Sequence, residues 1–176
     1  MHDVHRLIQN STGEYCSPKD SLPAVREILE RINFPQDKLD MVLHAIEYHE
    51  VYNFNKSQEN VSDIESLILQ DADNLDAIGA IGISRAIIYN TAHNLPMYDP
   101  SIPFADGDEY KDDMISDPSL LHHVKRKLIN TGKHMNTVSA MELAKDKVLL
   151  MEQFVEDYLN SLNGTYKKEE QSVNLQ

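Results

Sequence analysis

Apolar residues return at intervals of three and four along most of this chain, and no segment shows sustained two-residue alternation. The clearest case is Met141, Ala144, Val148, Met151, Val155, Tyr158 and Leu162. At 3.6 residues per turn, that spacing keeps one stripe of a helix against a neighbour. It predicts a long helix from about Thr137 to Leu162, with a seam read as a core face of its own domain in preference to a dimer interface. The class is therefore all-α. With 176 residues, 41 % of them hydrophobic, one domain over 1–162 closes a core without staples. The single cysteine, Cys16, leaves no internal disulfide framework and no multi-cysteine zinc site.

The earlier helices follow the same rule. Ser21 and Pro23 open one carrying Leu22, Val25, Ile28, Leu29 and Ile32; Phe34-Pro35 ends it, because a residue before proline leaves helical geometry. Leu39, Val42, Leu43 and Ile46 mark a second. Residues 52–60 are polar and read as a loop. Ser62 is expected to cap a third helix, with Glu65 completing a capping box, running from Ile64 through Leu75 to Ile88. Gly79 and Gly82 inside it each cost about 1 kcal/mol, which close approach of another backbone would offset. Residues 92–118 hold Pro96, Pro100, Pro103, Pro118, Gly107 and many aspartates, and read as a lid or binding loop or else an inert excursion. A helix from Ser119 to about Asn130 and a break at Gly132 come next. Residues 163–176 form a polar tail, expected to be disordered.

Sixteen basic against 29 acidic residues give a net charge of −13. Such a chain is repelled by phosphate polymers and anionic membranes, so neither nucleic-acid polymer nor membrane is an expected partner. No run is long enough to span a bilayer and no signal peptide is evident, so a cytoplasmic location is expected. Eight histidines in an acidic helical protein invite a metal, since imidazole and carboxylate together suit divalent transition ions. Two constellations carry that chemistry. In His2-Asp3, adjacent side chains reach one ion only at a distorted turn. In Asp71-Ala72-Asp73-Asn74-Leu75-Asp76, Asp73 and Asp76 share a helix face. Either a cation or simple exposure to water relieves the repulsion among these carboxylates.

The stretch from Asp71 through Asn74-Leu75-Asp76-Ala77-Ile78-Gly79 to Arg85 resembles the signature of small, single-domain bacterial HD-superfamily phosphohydrolases. Other parts follow in the family's order. His2-Asp3 resembles its HD dyad, and Ala45-Ile46 with His49-Glu50 resembles a later helix ending in histidine. Tyr98-Asp99-Pro100 is similar to a loop motif. Ser119 with His122 to Leu128, then Met135, Thr137, Met141, Ala144, Met151 and Phe154, resemble its C-terminal helices.

This resemblance implies an HD-domain-like helical bundle and hydrolysis of a nucleotide or other small phosphorylated molecule. It implies a divalent ion (Mn, Ni, Co, Fe or Mg) held by His2, Asp3 and Asp73, with Asp71 as the second choice for the distal ligand. Asp3 then orients a water, and His49 holds phosphate or donates a proton. Asn74, Arg85 and Lys127, with Lys125, are the expected substrate contacts. Two departures from the family qualify the expectation. The family's other metal-binding histidine lies in a helix before the dyad, where this sequence has only Met1, and a basic residue usual after Asp-Ala-Asp is Asn74. The alternative is a catalytically defective scaffold serving as a binding or regulatory module. Without an early helix, apolar surface would be left bare, so marginal stability or a homo-oligomer is expected.

Overall fold

The computed structural model describes residues 1–51, 61–104 and 117–165. The loop expected at 52–60, residues 105–116 of the expected lid and the tail from 166 lie outside the described residues. Within them every regular element is helical: α1 (Val4–Thr12), α2 (Pro18–Arg31), α3 (Gln36–Tyr48), α4 (Ile64–Asp76), α5 (Gly79–Ala92), α6 (Leu120–His123), a π-helical turn (Val124–Leu128), α7 (Ile129–Lys133) and α8 (Val138–Asn163).

Capping explains where the boundaries depart from the periodicity. Helix α2 begins before Ser21, because Ser17, Pro18 and Asp20 build its first turn. Ser17 Oγ accepts from Asp20 N, and the Asp20 carboxylate accepts from Ser17 N at 3.0 Å. Asp63, not Ser62, caps α4 and accepts from Ser66 N at 2.9 Å. The expected third helix is two helices. Ile78 is extended and fully buried, and Gly79 adopts a φ of 74°, so the chain turns sharply between α4 and α5. Gly132 lies within α7 and breaks nothing. Thr137 caps α8 as the spacing suggests, and Gly164 in the left-handed region ends it. Helix α1 escapes the apolar pattern because its buried residue is a histidine, His5.

Two apolar cores result. Ile78, Leu120, Leu121, Val124, Leu128 and Met151 anchor the larger, between α5, α8 and the helical segment 120–133. Val25, Leu29, Leu39, Leu43 and Ile46 form the smaller, between α2 and α3. The seam of α8 is a core face: Ala140, Ala144, Val148, Met151 and Val155 are buried, while Met141 and Leu162 are exposed.

Helix α4 joins the two halves through polar groups. Gln70 Nε2 donates to Tyr48 O at 2.8 Å, at the end of α3. Asp71 accepts from the backbone N–H groups of Asn136 (2.7 Å) and Thr137 (2.8 Å), at the start of α8. This strapping fixes α4 between α3 and α8, and so fixes the position of Asp73.

The turn after α4 leaves no room at Gly82, where an added Cβ would sit 2.1 Å from Ala77 O. That contact is with the turn just before it, rather than the approach of another helix. Backbone cannot yield as a side-chain tip can, so Gly82→Ala should lower stability by about 2–3 kcal/mol in urea unfolding.

Asp117 accepts from Arg126 Nε at 2.6 Å and His123 Nδ1 at 2.8 Å, pinning the entry to α6 against the π-helical turn. Burial raises the Asp117 carboxyl pKa, but the hydrogen bonds and charges of His123 and Arg126 outweigh it, and the net shift is downward. A depressed folded value adds stability above the unfolded carboxylate range that is lost as pH falls through the folded value. Asp117→Asn should therefore cost about 2 kcal/mol at pH 7, and the gap to wild type should close on titration below pH 4. A gap independent of pH would contradict the assignment.

Candidate metal centre

Asp3 is the N-cap of α1, yet its side chain makes no capping hydrogen bond. Its two oxygens face two imidazoles instead: Oδ2 lies 3.4 Å from His2 Nε2, and Oδ1 lies 4.0 Å from His49 Nε2. From α4, Asp73 brings Oδ1 to 3.8 Å from His2 Nε2. The fold thus gathers the opening dipeptide, the residue after α3 and a mid-chain carboxylate at one place. Burial pushes the Asp73 carboxyl above the ordinary carboxylate range; His49 and His2 oppose that shift, and Asp3 and Glu50 add to it.

Two further side chains complete the cluster. His5, on the first turn of α1, places Nδ1 3.2 Å from His2 O, as His49 places Nδ1 2.7 Å from Ile46 O. A carbonyl only accepts, so each neutral ring donates from Nδ1 and keeps its lone pair on Nε2. Both Nε2 atoms are buried without a hydrogen-bond partner among the described residues. Glu50 Oε1 comes within 3.4 Å of His5 Nε2 but out of hydrogen-bond alignment, and it pairs with the Arg6 guanidinium. Atoms of Asp3, His5, His49 and Glu50 all lie within 4.8 Å of one another. Two buried, uncommitted imidazole nitrogens among carboxylates fit a divalent ion, since orphaned buried polar atoms are otherwise costly.

The remaining expected residues are placed differently. The Asp71 carboxylate accepts from Asn136 and Thr137, whereas Asp73 is the aspartate that approaches His2. Asn74 is buried on the α4 face that also carries Ser66, Gln70 and Asp71. Arg85 NH1 pairs with Asp76 Oδ2 at 2.7 Å on the exposed surface. Lys127 lies in the π-helical turn, and Lys125 Nζ sits 4.1 Å above the Phe104 ring. Conversely, His5, Arg6 and Glu50 join the cluster without having been singled out as site residues. The sequence carries a signal for His5 and Glu50: His2 and His5 are three apart at a helix start, and a second histidine–carboxylate pair, His49-Glu50, follows α3.

An all-helical architecture with a histidine–carboxylate cluster between α1, α3 and α4 defines the class of protein. No protein-family model matches the chain. Among solved structures, an HD-superfamily hydrolase from Bacillus thuringiensis matches with a TM-score of 0.64 and 30 % identity, over 92 % of this chain and 69 % of its own. The uncharacterized protein YpgQ of Bacillus subtilis (strain 168) is 31 % identical over 144 residues, 80 % of this chain and 62 % of YpgQ. The chain therefore spans less than two thirds of that relative's length. A crystal structure of Bacillus subtilis YpgQ in complex with ADP matches with a TM-score of 0.59 and 27 % identity, over 83 % of this chain and 66 % of its own. This chain belongs to the HD superfamily and has the fold of its hydrolases. Among the described residues, no helix is long and apolar enough to cross a membrane.

Proposed function

We propose that this chain is a metal-dependent phosphohydrolase acting on a nucleotide or another small phosphorylated molecule. The observation that carries the reading is the convergence of His2, Asp3 and Asp73, with Asp73 held by a strapped helix. These three residues would hold the ion. A bound divalent cation there supplies charge for a phosphoryl oxygen and lowers the pKa of a water toward neutrality.

The chain's own residues supply the rest. Asp3, half exposed, accepts a proton from the attacking water and orients it. His49, fully buried, keeps its lone pair facing Asp3 and not solvent, which suits holding charge at the cluster better than proton donation to a substrate. Arg6, next to His5 on α1 and paired with Glu50 at the cluster, offers a guanidinium there for a substrate phosphate. The ADP complex of Bacillus subtilis YpgQ supports a nucleotide as the substrate class. A non-catalytic module is the second reading, favoured by the buried, uncharged Asn74 after Asp73.

The test is incubation with manganese, nickel, cobalt or magnesium and a nucleotide panel, following phosphate and pyrophosphate release. Metal-dependent release that Asp73→Ala abolishes supports the enzyme. Absence of release across the panel, with metal content unchanged in Asp73→Ala, supports the module.

A further inference from the structure

We propose, resting on the metal-dependent reading above, that Gln70 is a positioning residue for the His2–Asp3–Asp73 centre. Its amide sets the gap between the end of α3, which leads into His49, and the turn of α4 that carries Asp73. Gln70 is only 1 % exposed. Its Nε2 donates to Tyr48 O at 2.8 Å, and its Oε1 accepts from Asn136 Nδ2 at 3.1 Å. The last carbonyls of a helix lack intrahelical partners, and Tyr48 O belongs to the peptide bond that leads into His49. Tyr48 O also accepts from Val51 N at 3.0 Å, so the chain on both sides of His49 and Glu50 is fixed to one oxygen. His49 in turn backs both residues of the opening dipeptide. Its Nε2 is 4.0 Å from Asp3 Oδ1, and its ring meets the His2 ring edge-on with centroids 5.2 Å apart. Asp73 follows Gln70 by three residues, about 4.5 Å along the α4 axis.

Glutamine suits both bonds. A carbonyl only accepts and an NH2 group donates, so the Gln70 amide has one permitted orientation. Asparagine is a methylene short, and an ionised glutamate sets an acceptor against the Tyr48 carbonyl. Asn136 holds the amide from the head of α8, where its Nδ2 also reaches Leu67 O at 3.4 Å and Asp71 Oδ1 at 3.0 Å. Without the bond to Tyr48 O, α4 stays anchored to α8 by Asp71, while the end of α3 loses this hydrogen bond to α4. His49, and with it His2 and Asp3, is then free to shift relative to Asp73. Metal ligands need placement within about 0.5 Å, and loss of a group that orients them weakens metal binding about 10- to 100-fold. A purely structural role for Gln70 would lower stability and leave the affinity untouched.

The experiment uses the full chain, stripped by chelator and titrated with Mn2+ alone. Free Mn2+ followed by electron paramagnetic resonance gives Kd, and urea unfolding of the stripped protein gives stability. Gln70→Met fills a similar volume and makes neither bond; Asp117→Asn, at the entry to α6, is the control for lost stability alone. The expected Kd is about 10- to 100-fold weaker in Gln70→Met and unchanged in Asp117→Asn. Because a buried substitution can fail to fold, Gln70→Glu supplies a second test: its protonated O–H donates to Tyr48 O, and its ionised form does not. The ratio of its Kd to the wild-type Kd should start near one at about pH 6 and climb toward about pH 8, since burial raises a carboxyl pKa into that range. A wild-type Kd in Gln70→Met overturns the proposal, as does equal weakening in Asp117→Asn or a Gln70→Glu ratio that stays flat. If Asp73→Asn meanwhile abolishes Mn2+ binding, the metal-dependent reading survives. A wild type that binds no Mn2+ overturns both.

Discussion

Asp71→Ala is expected to lower the unfolding free energy by about 4 kcal/mol. The Asp71 carboxylate accepts from Asn136 N, Thr137 N and Asn136 Nδ2, the last at 3.0 Å, while the residue is only 3 % exposed. Hydrogen bonds to a charged group contribute about 1.5–3 kcal/mol each and are not additive. Removing the acceptor also leaves two backbone N–H groups at the head of α8 unpaired. The urea midpoint should fall accordingly. Asp71→Asn should recover part of the loss, because one amide oxygen still accepts while its NH2 faces an N–H donor. At saturating Mn2+, metal bound per folded molecule should be retained in both variants, since neither removes a proposed ligand; a loosened strap would show as weaker affinity. A stable Asp71→Ala protein with lost metal would show that Asp71 is a ligand and not a strap.

Asp73→Asn should do the reverse. The substitution keeps shape and removes charge at a carboxyl whose ionised form burial disfavours. Stability of the metal-free protein at neutral pH should hold or rise, since the folded state no longer carries that charge. The sign follows from the raised folded pKa: such a group destabilises the fold increasingly as pH rises through the window above the ordinary carboxylate value. Metal-dependent phosphate release, by contrast, should fall by about 10³-fold, the loss of several kcal/mol of charge stabilisation. Steady-state rates at saturating Mn2+ and urea unfolding of the stripped protein measure the two effects separately. A variant that stays active, or one that fails to fold, contradicts the role given to Asp73.

Most of the fold was readable because helices announce themselves locally. The α8 seam from Met141 to Leu162 and the Leu39–Ile46 face of α3 depend on spacing alone, and both became helices. What escaped was decided by contacts distant in sequence or by a single backbone angle. The turn at Ile78–Gly79 interrupts an otherwise continuous helical pattern, because Gly79 can take a φ of 74° where most residues cannot. Helix α1 buries His5 and carries exposed Leu7, so its hydrophobic count says little about how it docks.

The site divides along the same line. The resemblance points to His2, Asp3 and Asp73, and the fold brings their side chains near one another. Asp73 is the first choice over Asp71 from the resemblance alone; what no local pattern reveals is that the α8 backbone engages the Asp71 carboxylate. Histidine counts as polar in any periodicity, so the burial of His5 and His49 emerged only once α1, α3 and α4 were packed. Arg85 and Lys127 carry the charge expected of substrate contacts, and the fold places the first beside Asp76 and the second in the π-helical turn.

Diffraction from crystals grown with Mn2+, recorded near its absorption edge, locates the ion itself. An anomalous peak bounded by His2 Nε2, Asp3 and Asp73, with ligand distances near 2.0–2.3 Å, is the expected result. A map without density between those three side chains, or with Asp73 turned away from a peak elsewhere, would contradict the metal centre on which the proposed chemistry depends.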